Sequence, residues 1–370
     1  MYISSSNHMK IKEFVKNFIL FLLTIALLSS ILCVIIDPFN VFHPMNVRDN
    51  GVEPNKNYIK MKYILSEPEK FDAFLFGSSR VGNIHTDTIP GEMCYNMTYS
   101  RGTPSDNVLN IRTIFERGLA PKHIYIGVDQ SSYIEDFDGH NESELRSAYE
   151  YSKEKPLNFW VKYFNLSSTG TALADIMIPY SIQNRPLGDR YQTVFYNGGW
   201  NYDYGFESGV VFDSNDFQLS GYKAMARDYI NDETLNDIHF ANMEQTLEDI
   251  RTIKVLCDEH GTQLTIFTNP VYYELYTEAV SQHYLAFLKE LADVTPYYNF
   301  SGFNDITVNP ANYMDKSHYN AEVGDLIIKT ICLDETDQNL LEQGFGMYVD
   351  NGNISSLIDI LSRGAELCKA

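Results

Sequence analysis

The chain of 370 residues is long enough for one large domain or for a domain carrying a sizeable insertion. With 44% hydrophobic and 14% aromatic residues it can bury a substantial core. Its 28 basic residues against 49 acidic ones leave a formal charge of −21, a surface that repels phosphate backbones and argues against nucleic acid as a partner.

At the N-terminus Lys10, Lys12 and Lys16 precede FILFLLTIALLSSILCVII, residues 18–36, an uncharged run of nineteen. As a helix rising about 1.5 Å per residue, such a run spans a hydrocarbon core of about 30 Å. Asp37 and Pro38 follow at once. The positive-inside rule then expects residues 1–17 in the cytoplasm, 18–36 across the cell membrane and 37–370 outside, a single-pass anchor. A cleaved signal peptide fits less well, because the apolar run exceeds the usual 7–15 residues and no A-x-A site follows. Leu32 before Cys33 also lacks the small side chain of a lipoprotein signal.

Residues 37–70 read as a polar stalk with a short helix, NKNYIKMKYILSEPEKF. Beyond it, strand-like runs are FDAFLF (71–76), MCYNM (93–97), HIYIGV (123–128), QLTIFT (263–268) and PYYNF (296–300). Helical patterns lie between them. SDNVLNIRTIFERG opens with Ser105 as a candidate N-cap and stops at Gly118; ANMEQTLEDIRTIKVLCDEHG runs to Gly261. YELYTEAVSQHYLAFLKELAD reads as one helix, and NAEVGDLIIKTICL as another. Short apolar strands alternating with helices predict an α/β domain over 71–332 with a central, mostly parallel five-stranded sheet joined by right-handed crossovers.

From about 135 to 240 the alternation breaks, and a stretch rich in Tyr, Asn, Asp and Gly, including DRYQTVFYNGGWNYDYGFESG (189–209), reads as an insertion packed over the sheet. Its aromatics either stack on sugar rings or fill a small core of their own. The tail, 333–370, reads as an acidic linker followed by a C-terminal helix. The five cysteines, Cys33, Cys94, Cys257, Cys332 and Cys368, form no CxxC pair, and no His/Asp cluster with metal-ligand spacing occurs, so neither metal nor cofactor is expected.

In open α/β sheets ligands gather beyond the carboxyl ends of the strands. The run Phe71–Phe76 stops there at Gly77-Ser78-Ser79-Arg80. Ser79 is either part of a plain turn or a nucleophile at the sheet edge, and a serine hydroxyl needs a base to take its proton. Among the nine histidines, His85, His123, His140, His239, His260 and His283 have no evident partner in the sequence. His318 differs: in NYMDKSHYNAEVGDLI (312–327) Asp315 stands three residues before it, in the loop leading to the last helix of the domain. A carboxylate so placed can orient the imidazole while the ring faces Ser79.

GSSR after the first strand and DKSH before the final helix together resemble the SGNH, or GDSL-like, hydrolase superfamily over roughly residues 70–331. With the N-terminal anchor the chain looks most like its extracytoplasmic branch, which includes alginate O-acetyltransferase-like proteins and the D-alanyl transfer protein of teichoic acid synthesis. The resemblance implies a flavodoxin-like three-layer sandwich, with Ser79 as nucleophile, His318 as base and Asp315 as its orienter. It implies oxyanion donors at Ser79, at Gly102 in NMTYSRGTPSDN, and at an asparagine block that falls on Gly127-Val128-Asp129-Gln130. Asp129 replaces the asparagine, and an ionised carboxylate cannot donate a hydrogen bond. Either Gln130 takes over as donor or Asp129 pairs with Arg80 for structural reasons. By the resemblance the protein would be a serine O-acyltransferase or esterase acting on a cell-envelope polysaccharide or glycolipid, with a membrane-embedded acyl-donor protein as a candidate partner. The alternative is an inactive scaffold or glycan-binding subunit that keeps the fold.

Overall fold

The computed structural model describes residues 4–46, 50–134, 145–177, 197–199, 237–281, 283–313 and 315–367. Its centre is a mixed α/β arrangement around one sheet, built of β1 (Ala73–Phe76), β2 (Cys94–Asn96), β3 (His123–Val128), β4 (Gln263–Thr268), β5 (Tyr297–Asn299) and β6 (Met347–Val349). The strand order is β2-β1-β3-β4-β5-β6, and every neighbouring pair is parallel except β5 with β6. All residues of β1 and β3 are buried, as expected for central strands covered on both faces.

Among the described residues the sheet has six strands, not five. The extra one, Met347–Val349, lies in the tail expected to be a linker and a helix. Three residues are too few to show a period of two, and the strand is created by pairing Tyr297 with Val349 and Asn299 with Met347.

Among the described residues the helices of eight or more residues are α1 (Ser4–Ile36), α2 (Lys56–Ser66), α3 (Pro104–Glu116), α4 (Leu166–Met177), α5 (Asp237–His260), α6 (Tyr273–Ser281), α7 (Tyr284–Val294), α8 (Ala321–Leu333) and α9 (Ile354–Leu367). α3 starts two residues earlier than expected, with Thr103 at the N-cap and Pro104 in the first turn, where proline's fixed φ suits a helix start. The expected cap, Ser105, instead donates its hydroxyl to Asp249 Oδ2 on α5 at 2.6 Å. The single helix expected over 273–293 divides into α6 and α7 around His283, which takes a left-handed φ of 69°.

α1 is the one helix among the described residues long and apolar enough to cross a membrane, and almost none of its length is buried, unlike a core helix. α2 belongs to the core rather than to a stalk: Tyr58, Ile59, Met61 and Ile64 are buried among the strand residues. Cys33, Cys94, Cys257 and Cys332 are free thiols. Most of the expected insertion, with the aromatic stretch 189–209 except 197–199, lies outside the described residues, as do His140 and Cys368.

Lys60 shows how α2 is locked in. Its side chain is fully enclosed and donates from Nζ to the carbonyls of Asn96 (3.0 Å), Thr98 (2.5 Å) and Gly198 (2.6 Å). Burial drives its pKa well below the usual lysine range, with Lys56 adding to the effect, while the three carbonyls favour the ammonium. Lys60→Met fits the volume and strands these acceptors, so it should lower the unfolding free energy by about 2–4 kcal/mol. Lys56→Met, which removes a 3.0 Å pair with the partly exposed Glu53, should cost less than Lys60→Met in the same unfolding measurement.

Candidate active site

The carboxyl end of β1 delivers the first part of the site. Gly77 has φ 152°, and a Cβ there would lie 2.9 Å from Val81 Cγ1, so only glycine lets the chain leave the strand this way. Ser78 then caps a 3₁₀ turn, Ser79–Asn83, its Oγ accepting from the Arg80 N–H at 3.4 Å. As first residue of that turn, Ser79 has an N–H without an intrahelical acceptor. Two side chains pin the turn from outside, Thr98 Oγ1 donating to Ser78 O (2.8 Å) and Asn96 Nδ2 to Val81 O (2.8 Å), and the turn's own Asn83 donates from Nδ2 to Tyr319 O (2.6 Å).

The second part comes from the loop before α8. Asp315 folds that loop over its own carboxylate, Oδ1 accepting from the N–H groups of Ser317 (2.7 Å) and His318 (2.9 Å). The same carboxylate meets His318 Nδ1 at 2.8 Å. Partial burial raises the Asp315 pKa, but the His318 ring and the two backbone N–H groups outweigh it and hold the carboxyl below the ordinary aspartate range. An ionised acceptor at Nδ1 requires a proton there, which leaves Nε2 of the neutral ring free to accept. Nε2 lies 2.8 Å from Ser79 Oγ. Serine, histidine and aspartate thus form one continuous hydrogen-bonded chain in the geometry of a general-base nucleophile.

Beneath this chain lies a buried charge pair. Arg80 Nη1 meets Asp129 Oδ1, with the side chains 9% and 2% exposed. Arg80 also donates from Nε to Ser317 Oγ (2.9 Å) and from Nη1 to Ser131 Oγ (3.0 Å). Asp129 accepts further from Ser131 N (2.9 Å), Ser131 Oγ (2.6 Å) and Asn269 Nδ2 (2.8 Å). The carboxylate is an acceptor on every side.

The remaining expected residues are placed as follows. Gly102 packs against the loop carrying Ser79 so closely that a Cβ would sit 2.6 Å from Gly77 O, and its N–H makes a long 3.4 Å bond to Tyr99 O. Gln130 is buried beside Asp129, its Oε1 has no hydrogen-bond partner among the described residues, and it makes no hydrogen bond to Ser79. Three histidines do have carboxylate partners that the sequence did not suggest: His43 Nδ1 lies 3.3 Å from Asp37 Oδ2, His85 Nδ1 lies 2.7 Å from Asp325 Oδ1, and His123 Nδ1 lies 3.0 Å from Glu92 Oε1.

Sequence reasoning missed Ser131, Asn269, Ser317 and Tyr319 around the site. Ser131 and Ser317 stand two residues beyond an aspartate, a turn-forming spacing that was available as a signal. Asn269 has no local signal. It follows Thr268, which pairs with Val128, so only the strand register sets it beside Asp129. Its Oδ1 in turn accepts from Tyr319 OH at 3.3 Å.

Because the folded pKa of Asp315 is depressed, its stabilising contribution is present above the ordinary aspartate value of about 3.9 and fades as pH falls below it. Asp315→Asn should therefore be less stable than the parent near neutrality. The gap should close as unfolding is followed downward from about pH 5 to pH 3.

Comparison of the chain with protein-family models, with curated proteins and with solved structures finds no match.

Proposed function

We propose that this protein is a membrane-anchored, extracytoplasmic serine acyl-transfer protein, an O-acyltransferase or esterase acting on a cell-envelope polysaccharide or glycolipid. The observation that carries this reading is the continuous chain from Ser79 Oγ to His318 Nε2 (2.8 Å) and from His318 Nδ1 to Asp315 (2.8 Å). Ser79 Oγ attacks the carbonyl carbon of an ester as its proton passes to His318 Nε2, and Asp315 steadies the imidazolium. The tetrahedral intermediate collapses to an acyl-serine while His318 returns the proton to the leaving alcohol. An acceptor hydroxyl, from water or a sugar, then attacks the acyl-serine by the reverse proton transfer. The Ser79 N–H, oriented at the start of its turn, is the first candidate to hold the oxyanion, with Gly102 packed alongside.

Several features support the setting. The order β2-β1-β3-β4-β5 is that of flavodoxin-like sheets, α3 and α7 pack on α5, and α8 packs on the Ser79 turn, as a three-layer sandwich requires. The exposed apolar face of α1, with Lys10, Lys12 and Lys16 before it, supports an anchor whose following domain faces away from the cytoplasm. An anchored acyl-transfer site fits envelope glycans, with a membrane-embedded protein as acyl donor.

One observation favours a second reading, an inactive scaffold or glycan-binding subunit. Asp129 stands where the resembled family carries an oxyanion-donating asparagine, and its carboxylate is filled by donors. A fluorophosphonate probe separates the two, since it labels only an activated serine.

With 4-nitrophenyl acetate as acyl donor, Ser79→Ala, His318→Ala and the double variant should each lose acyl-enzyme formation to a similar extent, by about 10³-fold or more, and Asp315→Ala by less. Full turnover by Ser79→Ala would overturn the reading. In intact spheroplasts an external protease should digest the domain after α1, and complete protection would contradict the extracytoplasmic placement.

A further inference from the structure

Outside α1, the large exposed apolar side chains of the described residues concentrate in one stretch. Leu157, Val161, Phe164, Leu166, Ile176 and Met177 lie on or between the helix Pro156–Lys162 and α4, and Leu157 and Met177 are 74% and 72% exposed. Single exposed apolar residues need no explanation, but a contiguous group does.

The stretch lies against the C-terminal half of α1. Trp160 stacks on Phe42 at 5.6 Å, Phe164 lies 5.5 Å from the same ring, and Thr169 Oγ1 donates to Cys33 Sγ at 3.2 Å. Between the two elements runs a groove of about 300 Å³, lined by Leu22, Ile25, Ser29, Cys33, Phe164 and Leu166. Leu22 stands fourteen residues before Ile36, so the groove reaches about 21 Å down the helix from its end. If α1 spans a hydrocarbon core of about 30 Å, most of that groove is below the bilayer surface.

We propose that the helix Pro156–Lys162 and α4 are a second, in-plane membrane attachment, immersed in the leaflet that α1 leaves at Ile36, with lipid acyl chains filling the groove. This rests on the reading of α1 as a membrane span. Lipid is the occupant because the groove is continuous with the span itself and because its borders are those of a bilayer interface. Trp160 stacks on Phe42, six residues beyond the end of α1, and on the same stretch Lys155 and Lys162 both lie over the Tyr151 ring and Lys153 over Tyr149, basic groups suited to lipid phosphates in a chain of net charge −21. The attachment is rigidly joined to the catalytic edge. Phe159 packs on Tyr58 of α2 at 4.9 Å, and Lys60 of the same helix holds Thr98, which holds Ser78. Two attachments fix the rotation of the domain about α1 and hold Ser79 at one height above the lipid.

The test uses the full-length protein in its native membranes, with the photo-crosslinker benzoylphenylalanine at Val161 or Ile176, at Phe21 in α1, and at exposed Val255 on α5. Lipid adducts at Val161 and Ile176 should match those at Phe21 and exceed those at Val255 several-fold. Adducts at Phe21 with none above the Val255 level at Val161 and Ile176 would overturn this proposal alone. No lipid adduct at Phe21 would overturn the membrane reading and this proposal with it. Protein adducts in place of lipid at Val161 and Ile176 would assign the face to a membrane-embedded partner and overturn the lipid assignment.

Discussion

Neither Arg80 nor Asp129 is affordable alone at its depth, since an unpaired buried charge costs several kcal/mol. What satisfies them is spread over four separate parts of the chain. Arg80 belongs to the turn after β1, Asp129 and Ser131 to the end of β3, Asn269 to the end of β4, and Ser317 to the loop before α8. Ser79 immediately precedes Arg80, and His318 immediately follows Ser317. The geometry that neutralises the charge pair therefore also sets how the Ser79 hydroxyl and the His318 ring approach each other. Local turns alone would leave two such loops free to drift apart.

The two aspartates of the site are treated oppositely by their surroundings. Asp315 is half-exposed, gathers N–H donors from its own loop and is kept ionised against His318. Asp129 is enclosed and saturated by donors from other elements. In the proposed chemistry the first steadies the proton-accepting ring and the second only holds the frame. An asparagine at position 129 could offer an N–H to an oxyanion, whereas this carboxylate cannot. The proposed site thus relies on backbone N–H groups, and their placement depends on the tight packing of Gly102 against Gly77.

A similar logic links the site to α1. Lys60 brings the carbonyls of Asn96, Thr98 and Gly198 onto one buried Nζ, and Thr98 passes that restraint to Ser78. The aromatic contacts of Tyr58 with Phe159 and of Phe42 with Trp160 continue the same rigid body to the end of α1. Under the proposed function this stiffness has a use, because an anchored enzyme works on substrates presented at a fixed distance from the bilayer.

Much of this architecture was legible locally. The uncharged run 18–36 has a composition that only a membrane or a large core accommodates, and HIYIGV and QLTIFT coincide with β3, buried throughout, and β4, buried from Thr265 on, because runs rich in β-branched and apolar residues suit such strands. Gly77 and the Asp315–His318 spacing carry their own short-range geometry, so the two halves of the candidate site could be read as loops at strand ends. What the chain could not show locally arises from distant pairing. β6 exists only because β5 offers an edge, α3 starts at Pro104 while Ser105 serves Asp249, and Asn269 reaches Asp129 through strand register. Hydrophobic period and turn chemistry are properties of a few neighbouring residues and survive in the bare sequence. Where a buried charge finds its donors is a property of the packed sheet edge, and there the tertiary structure alone decided.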